Sequence, residues 1–228
     1  MIRIVPRCLS FARGRVPKRL FSEEIKQATK SLSQAIKAEL DHEEEELKNN
    51  QQVPDQEFLS QKGWKQRLTN DSTRIELSRS TGDTEVQVVF DARMNESNPP
   101  EEEQGEQAEQ EEEDGGVDFL VFLSKGQGRR LVADCIAQNG RIDVTNIACL
   151  DEKTAKDLFQ DKSVLFTRSH YTGPSFDSLD ERLQEKIVSY LASVGVNEEL
   201  ATYVEQKAYD HEAELYRGWL KSFHEVLN

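Results

Sequence analysis

Apolar residues recur at helical spacing between Ser22 and Lys48: Ile25, Ala28, Leu32, Ala35, Ile36, Leu40 and Leu47. That spacing predicts an amphipathic helix that packs along one narrow stripe. Ser22 stands where an N-cap would, with Glu23 and Glu24 in the first turn. Asn49 to Ser60, which contains Pro54, breaks the period and reads as a linker.

From Gly63 the period changes to two. Trp64, Gln66 and Leu68, then Ile75 and Leu77, then Val86, Val88 and Phe90 fall on alternate positions, as three half-buried strands require. Asn70-Asp71-Ser72 and Thr81-Gly82-Asp83 supply turn chemistry between them. Strand patterning resumes at Val117–Leu123, turns at Gly126-Gln127-Gly128, and continues through Leu131–Ile136 and Ile142–Leu150. The last two runs are joined by Asn139-Gly140, the strongest short-range hairpin signal. Val164–Thr167 reads as a further short strand, and a short helix is expected around Lys153–Phe159. The expectation is about seven consecutive antiparallel strands.

The C-terminal third returns to helical spacing. Ser178 and Glu181 fit a capping box, and Leu179, Leu183, Ile187, Leu191 and Val194 form an apolar face that stops at Gly195. Asn197 is placed to cap a second helix, with Glu198 and Glu199 favourably set against its dipole. Leu200, Val204, Ala208, His211, Leu215, Trp219, Phe223 and Val226 make the face of that helix. The fold class is therefore α+β.

One stretch has no packing pattern at all. Glu101 to Asp114 holds acids, Gln, Gly and one Ala, cannot form a core, and is expected to lie in a disordered acidic loop spanning residues 95–116. Its carboxylates, Glu101, Glu102, Glu103, Glu106, Glu109, Glu111, Glu112, Glu113 and Asp114, are candidates for loose electrostatic contact with basic partner proteins. They lack the spacing and turning glycine of an EF-hand loop, so no ordered metal site is expected.

Charge sharpens this picture. The 228 residues carry 29 Lys and Arg against 43 Asp and Glu, a formal net charge of −14. The basic residues are not evenly spread: Arg3, Arg7, Arg13, Arg15, Lys18 and Arg19 precede the first acid. An acid-free, Arg-rich start with interspersed apolar residues has the composition of a mitochondrial transit peptide, assigned to residues 1–21, with a cut between Phe21 and Ser22. Residues 22–228 would then form the mature domain. Removing six of the 29 cations and none of the 43 acids takes the net charge to −20. A charge of that size favours basic partners and repels nucleic-acid phosphates. Cys8 falls in the transit peptide, and Cys135 and Cys149, in apolar strand runs, are expected as buried thiols in a reduced compartment.

The ordered series Gly63-Trp64, Thr84 to Phe90, Asn98-Pro99-Pro100, the acidic loop, Leu131-Val132-Ala133-Asp134-Cys135, Asp177-Ser178-Leu179-Asp180 and Leu191 to Val196 resembles the mitochondrial glycoprotein family. Asp177 to Trp219 is its most specific part. The resemblance implies a strongly twisted sheet of seven antiparallel strands, flanked by one N-terminal and two C-terminal helices and assembled as a ring-shaped homotrimer with an acidic face. It also implies a matrix protein that supports mitochondrial RNA maturation, mitoribosome assembly, translation and oxidative phosphorylation, with no established active site. Between Ala148 and Lys162 the chain departs somewhat from the family, and the short helix around Lys153–Phe159 is expected to replace the longer acidic connection found in some relatives.

The chemistry-bearing residues agree with a non-enzymatic protein without cofactor. There is no glycine-rich phosphate loop, no paired-cysteine metal spacing, no HExxH helix and no Gly-x-Ser-x-Gly elbow. Of the four histidines, His42 and His224 lie near the chain ends, His170 sits in a turn, and His211 is expected as a satisfied interhelical residue. Direct RNA contact is the alternative role, with Lys125, Arg129 and Arg130 as its candidates, and Lys65, Arg67, Arg74 and Arg79 on strands that could share a face. No aromatic residues interleave with them to stack bases, so RNA is expected to be reached through a basic partner protein. No run is long and apolar enough to span a membrane.

Overall fold

The computed structural model describes residues 18–49, 55–68, 72–92, 116–126, 128–161 and 171–227. The chain divides into two compact units, one formed by residues 1–49 with 217–228 and the other by residues 50–216.

In the first unit, helix α1 runs from Lys18 to Asn49. It starts four residues before the expected cap at Ser22, so the expected processing position between Phe21 and Ser22 lies inside the helix. Residues 1–17 lie outside the described residues. The predicted stripe is only partly used: Ile36 is buried, whereas Ile25, Leu32 and Leu47 are exposed. The last turns of helix α5 (Glu198–Leu227) belong to this unit too. There Leu220 is buried, Trp219 lies 5.3 Å from Phe223, and Lys221 Nζ reaches Glu44 at 3.8 Å.

The second unit holds the sheet. Six strands, β1 (Lys65–Leu68), β2 (Arg74–Thr81), β3 (Thr84–Asp91), β4 (Val117–Lys125), β5 (Arg130–Gln138) and β6 (Arg141–Leu150), lie in sequence order, each antiparallel to its neighbour. About seven strands were expected; the described residues form six, and the seventh, predicted at Val164–Thr167, lies outside them. Helices α2 (Asp55–Lys62), α3 (Glu152–Gln160) and α4 (Glu181–Ser193) complete the unit with the first part of α5. Helix α2 occupies the segment expected as a linker. It is held by Phe58, which stacks on Tyr203 at 4.3 Å, and by the Trp64 N–H, which donates to the Leu59 carbonyl at 2.9 Å.

The sheet is packed on both faces. Ile75, Leu77, Val88, Phe90, Phe119 and Val121 point to one side, in a core shared with Trp64 and with Leu191, Leu200 and Val204 of α4 and α5. On the other side Val89, Leu120, Phe122, Val132 and Leu150 meet Ala155 and Leu158 of α3. Strand β4 serves both cores, which is why its sequence, Val-Asp-Phe-Leu-Val-Phe-Leu, reads as an apolar run more than as an alternation.

Local chemistry fixes the ends of the elements. Asn139 and Gly140 both take positive φ, 55° and 71°, as a tight hairpin turn demands. The expected capping box at Ser178 is replaced: Phe176–Ser178 forms a 3-10 turn, and Asp180 caps α4 by accepting from the Arg182 N–H at 3.1 Å. Gly195, at φ +95°, ends α4 as expected, with the Val196 N–H donating to Leu191 and the Gly195 N–H to Ala192. Asn197 Oδ1 accepts from the Leu200 N–H at 3.2 Å, capping α5.

Candidate functional site

The nine carboxylates from Glu101 to Asp114 lie outside the described residues, and the structure shows how the sheet anchors the two ends of their connection. At the entry, the Ala92 N–H donates to the Thr73 carbonyl at 2.7 Å. At the exit, Gly116 is pressed against β5, where a Cβ would stand 2.5 Å from Ile136 Cγ2 and 2.9 Å from the Ala137 carbonyl oxygen. The connection therefore leaves from the β3–β4 end of the sheet, beside the β1–β2 and β5–β6 turns. Helix α5 braces that end twice: Glu205 accepts from the Gly140 N–H at 3.1 Å, and His211 Nε2 donates to the Ser72 carbonyl at 2.8 Å.

His211 is thus buried and bonded, as its place on the apolar side of the helix required. The interhelical partner expected for it is wrong. Its Nε2 partner is a strand-turn carbonyl, and its Nδ1 faces Glu214 Oε2 at 3.4 Å on the same helix. A carbonyl only accepts, so Nε2 carries the proton of that bond.

The basic candidates sit at the opposite end of the sheet and do not form one surface. Lys125 and Arg130 lie on opposite faces: Lys125 pairs with Asp83 at 3.5 Å, whereas Arg130 Nη1 donates to Gln87 Oε1 at 3.1 Å. Arg129 stands apart at the rim of a cleft. Of the second basic group, Lys65, Arg67 and Arg74 share a face, but Arg79 points to the other, towards Trp64. Arg67 and Arg74 are held by Glu76, and Arg74 also donates to the Phe159 carbonyl and covers its ring at 4.7 Å. Arg67, Arg74 and Arg79 thus serve the fold before any ligand.

Burial pushes the Cys135 thiol far up, with Asp134 adding to the effect. Cys149 is exposed, contrary to the expectation of two buried thiols, because β6 is an edge strand and Cys149 lies near its end. Among the described residues no group of three or more His, Cys, Asp or Glu is arranged to hold a metal, and no helix is long and apolar enough to cross a membrane.

Comparison with known proteins places this arrangement. A Leishmania major protein, described as of unknown function and a sequence homologue of human p32 protein, superposes with a TM-score of 0.68 at 20% identity, covering 87% of this chain and 98% of that one. The Trypanosoma brucei p22 protein superposes with a TM-score of 0.66 at 24% identity, covering 88% and 99%. These likenesses establish the fold. The mitochondrial acidic protein mam33 of Schizosaccharomyces pombe is 29% identical over 110 residues, which span 47% of this chain and 40% of that protein. The MAM33 profile, that of the mitochondrial glycoproteins, matches residues 36–227, and the chain belongs to the mitochondrial glycoprotein family.

Proposed function

We propose that the chain is a non-enzymatic acidic scaffold of the mitochondrial matrix. It binds basic partner proteins and supports mitochondrial gene expression, in RNA processing or editing, mitoribosome assembly or translation, and through it oxidative phosphorylation. The observation that carries this reading is the imbalance of charge. Acids outnumber cations 43 to 29, and several of the cations are already held by the chain's own carboxylates: Lys62 by Glu199, Arg74 by Glu76, Lys125 by Asp83 and Lys156 by Glu152. What remains for a partner is predominantly negative surface, with the acid-rich connection leaving one end of the sheet.

The working form is a homotrimer. Its support is the apolar surface left on the helices of the first unit, where Ile25, Leu32, Trp219 and Val226 are exposed and association would cover them. The test takes the chain from Ser22, measures its mass by light scattering, and passes basic mitochondrial proteins and then RNA over it at low and moderate salt. A trimer that retains proteins and lets RNA pass is expected. A monomer overturns the assembly, and salt-resistant retention of RNA without protein transfers the role to direct RNA binding.

A further inference from the structure

At the end of the sheet away from the acidic connection, a cleft of about 460 Å³ opens between β6, the residue preceding β5 and the segment around Gly173. The size falls in the range of small-molecule sites. Ile147 and Leu150 give it an apolar lining, and Arg129 and the exposed phenol of Tyr171 stand in its wall. Gly173, at φ +90°, passes so near β6 that a Cβ would lie 2.6 Å from the Ile147 carbonyl oxygen, and Ser175 forms an isolated bridge with Asn146. One wall is thus backbone seated on an edge strand.

The charges in this lining are unequal. Among the described residues Asp151 is its one carboxylate, and both oxygens are occupied at the start of α3: Oδ1 accepts from the Thr154 N–H at 3.0 Å and Oδ2 from Thr154 Oγ1 at 2.8 Å. Arg129 makes no hydrogen bond or ion pair with any of the described residues. It therefore presents five donors to whatever enters. We propose that this cleft binds a small organic anion, with its carboxylate, sulfonate or phosphate on Arg129 and a flat apolar body against Ile147 and Leu150. The site is independent of the acidic surface assigned above and selects the opposite charge.

Cys149, in the same lining, gives a local reporter. In the full-length chain carrying Cys8→Ser, the buried Cys135 is shielded, and Cys149 is the thiol that reacts with the neutral reagent 4,4′-dithiodipyridine. Its thiolate attacks the disulfide, forms a mixed disulfide and releases one thiopyridone. The rate is followed against rising naphthalene-2-sulfonate, with naphthalene-2-methanol as the uncharged control. Saturable protection by the sulfonate is expected, with none from the alcohol over the same range. Arg129→Gln should raise the half-protecting concentration by about tenfold or more, the loss of one charge-assisted hydrogen bond, and Arg129→Lys should recover part of it. Absent protection, equal protection by the alcohol, or protection unchanged in Arg129→Gln overturns the proposal.

Discussion

Gly195 and Arg79 are fitted to each other: the backbone at Gly195 passes so close to the guanidinium that a Cβ there would run into Nη1. Arg79 in turn lies 5.7 Å from the ring of Trp64. The glycine that ends α4 thus also leaves room for the cation that covers Trp64. Gly195→Ala is expected to destabilise the protein by about 1–3 kcal/mol, from backbone strain at positive φ and the displaced arginine. Urea unfolding of the two single variants and Gly195→Ala with Arg79→Ala separates these. The double variant should recover the steric part and leave the φ strain.

Leu158 is fully buried in the smaller core, where α3 is seated on Val89, Phe122 and Val132. Leu158→Ala is expected to cost about 2–5 kcal/mol, the usual range for a buried leucine. Hydrogen exchange should place the early opening in α3. Uniform loss of protection across the sheet would show that the two cores are energetically one.

Asp151 carries a pH signature. The Thr154 N–H, and then its hydroxyl, hold the Asp151 carboxyl below the usual carboxylate range. A group whose folded pKa is depressed stabilises the protein above its unfolded pKa, and that contribution is lost as pH falls through the folded pKa. The difference in urea midpoint between Asp151→Ala and the parent should be full at neutral pH and shrink on acidification through and below the carboxylate range. A difference that stays constant to pH 3 refutes the cap as its source.

His211 ties α5 to the β1–β2 turn. Replacing it with leucine leaves the Ser72 carbonyl without its donor, and a loss of about 1–3 kcal/mol is expected. His211→Gln, which retains a donor, should lose less. Equal losses would mean that packing, and not the hydrogen bond, sets the cost.

Much of this architecture is legible in the residues. Asn139-Gly140 announces its hairpin because few other pairs tolerate two positive φ angles, and Gly195 and Asn197 mark a helix end and a helix start for equally local reasons. Helix α2 escapes notice because it is eight residues long and its apolar residues, Phe58 and Leu59, are adjacent, so its stability is tertiary. Ser178 and Asp180 compete for one cap, and the 3-10 turn Phe176–Ser178, in which the Ser178 hydroxyl donates to the Ser175 carbonyl, decides in favour of the aspartate. The basic trio is close in sequence across a hairpin, yet strand alternation sends Lys125 and Arg130 to opposite faces. The cleft at Arg129 has no sequence signal, since its walls come from three separated segments.

Each strand pairs with its sequence neighbour, so the sheet can assemble hairpin by hairpin without long-range searching. The join between Asp91 and Val117 is the longest between consecutive strands of the sheet, and it is where the acid-rich run is inserted. The entropy of closing a connection grows slowly with its length, by about 0.6 kcal/mol for each doubling. The number of carboxylates at that join is therefore free to change over generations while the sheet that carries them pays almost nothing.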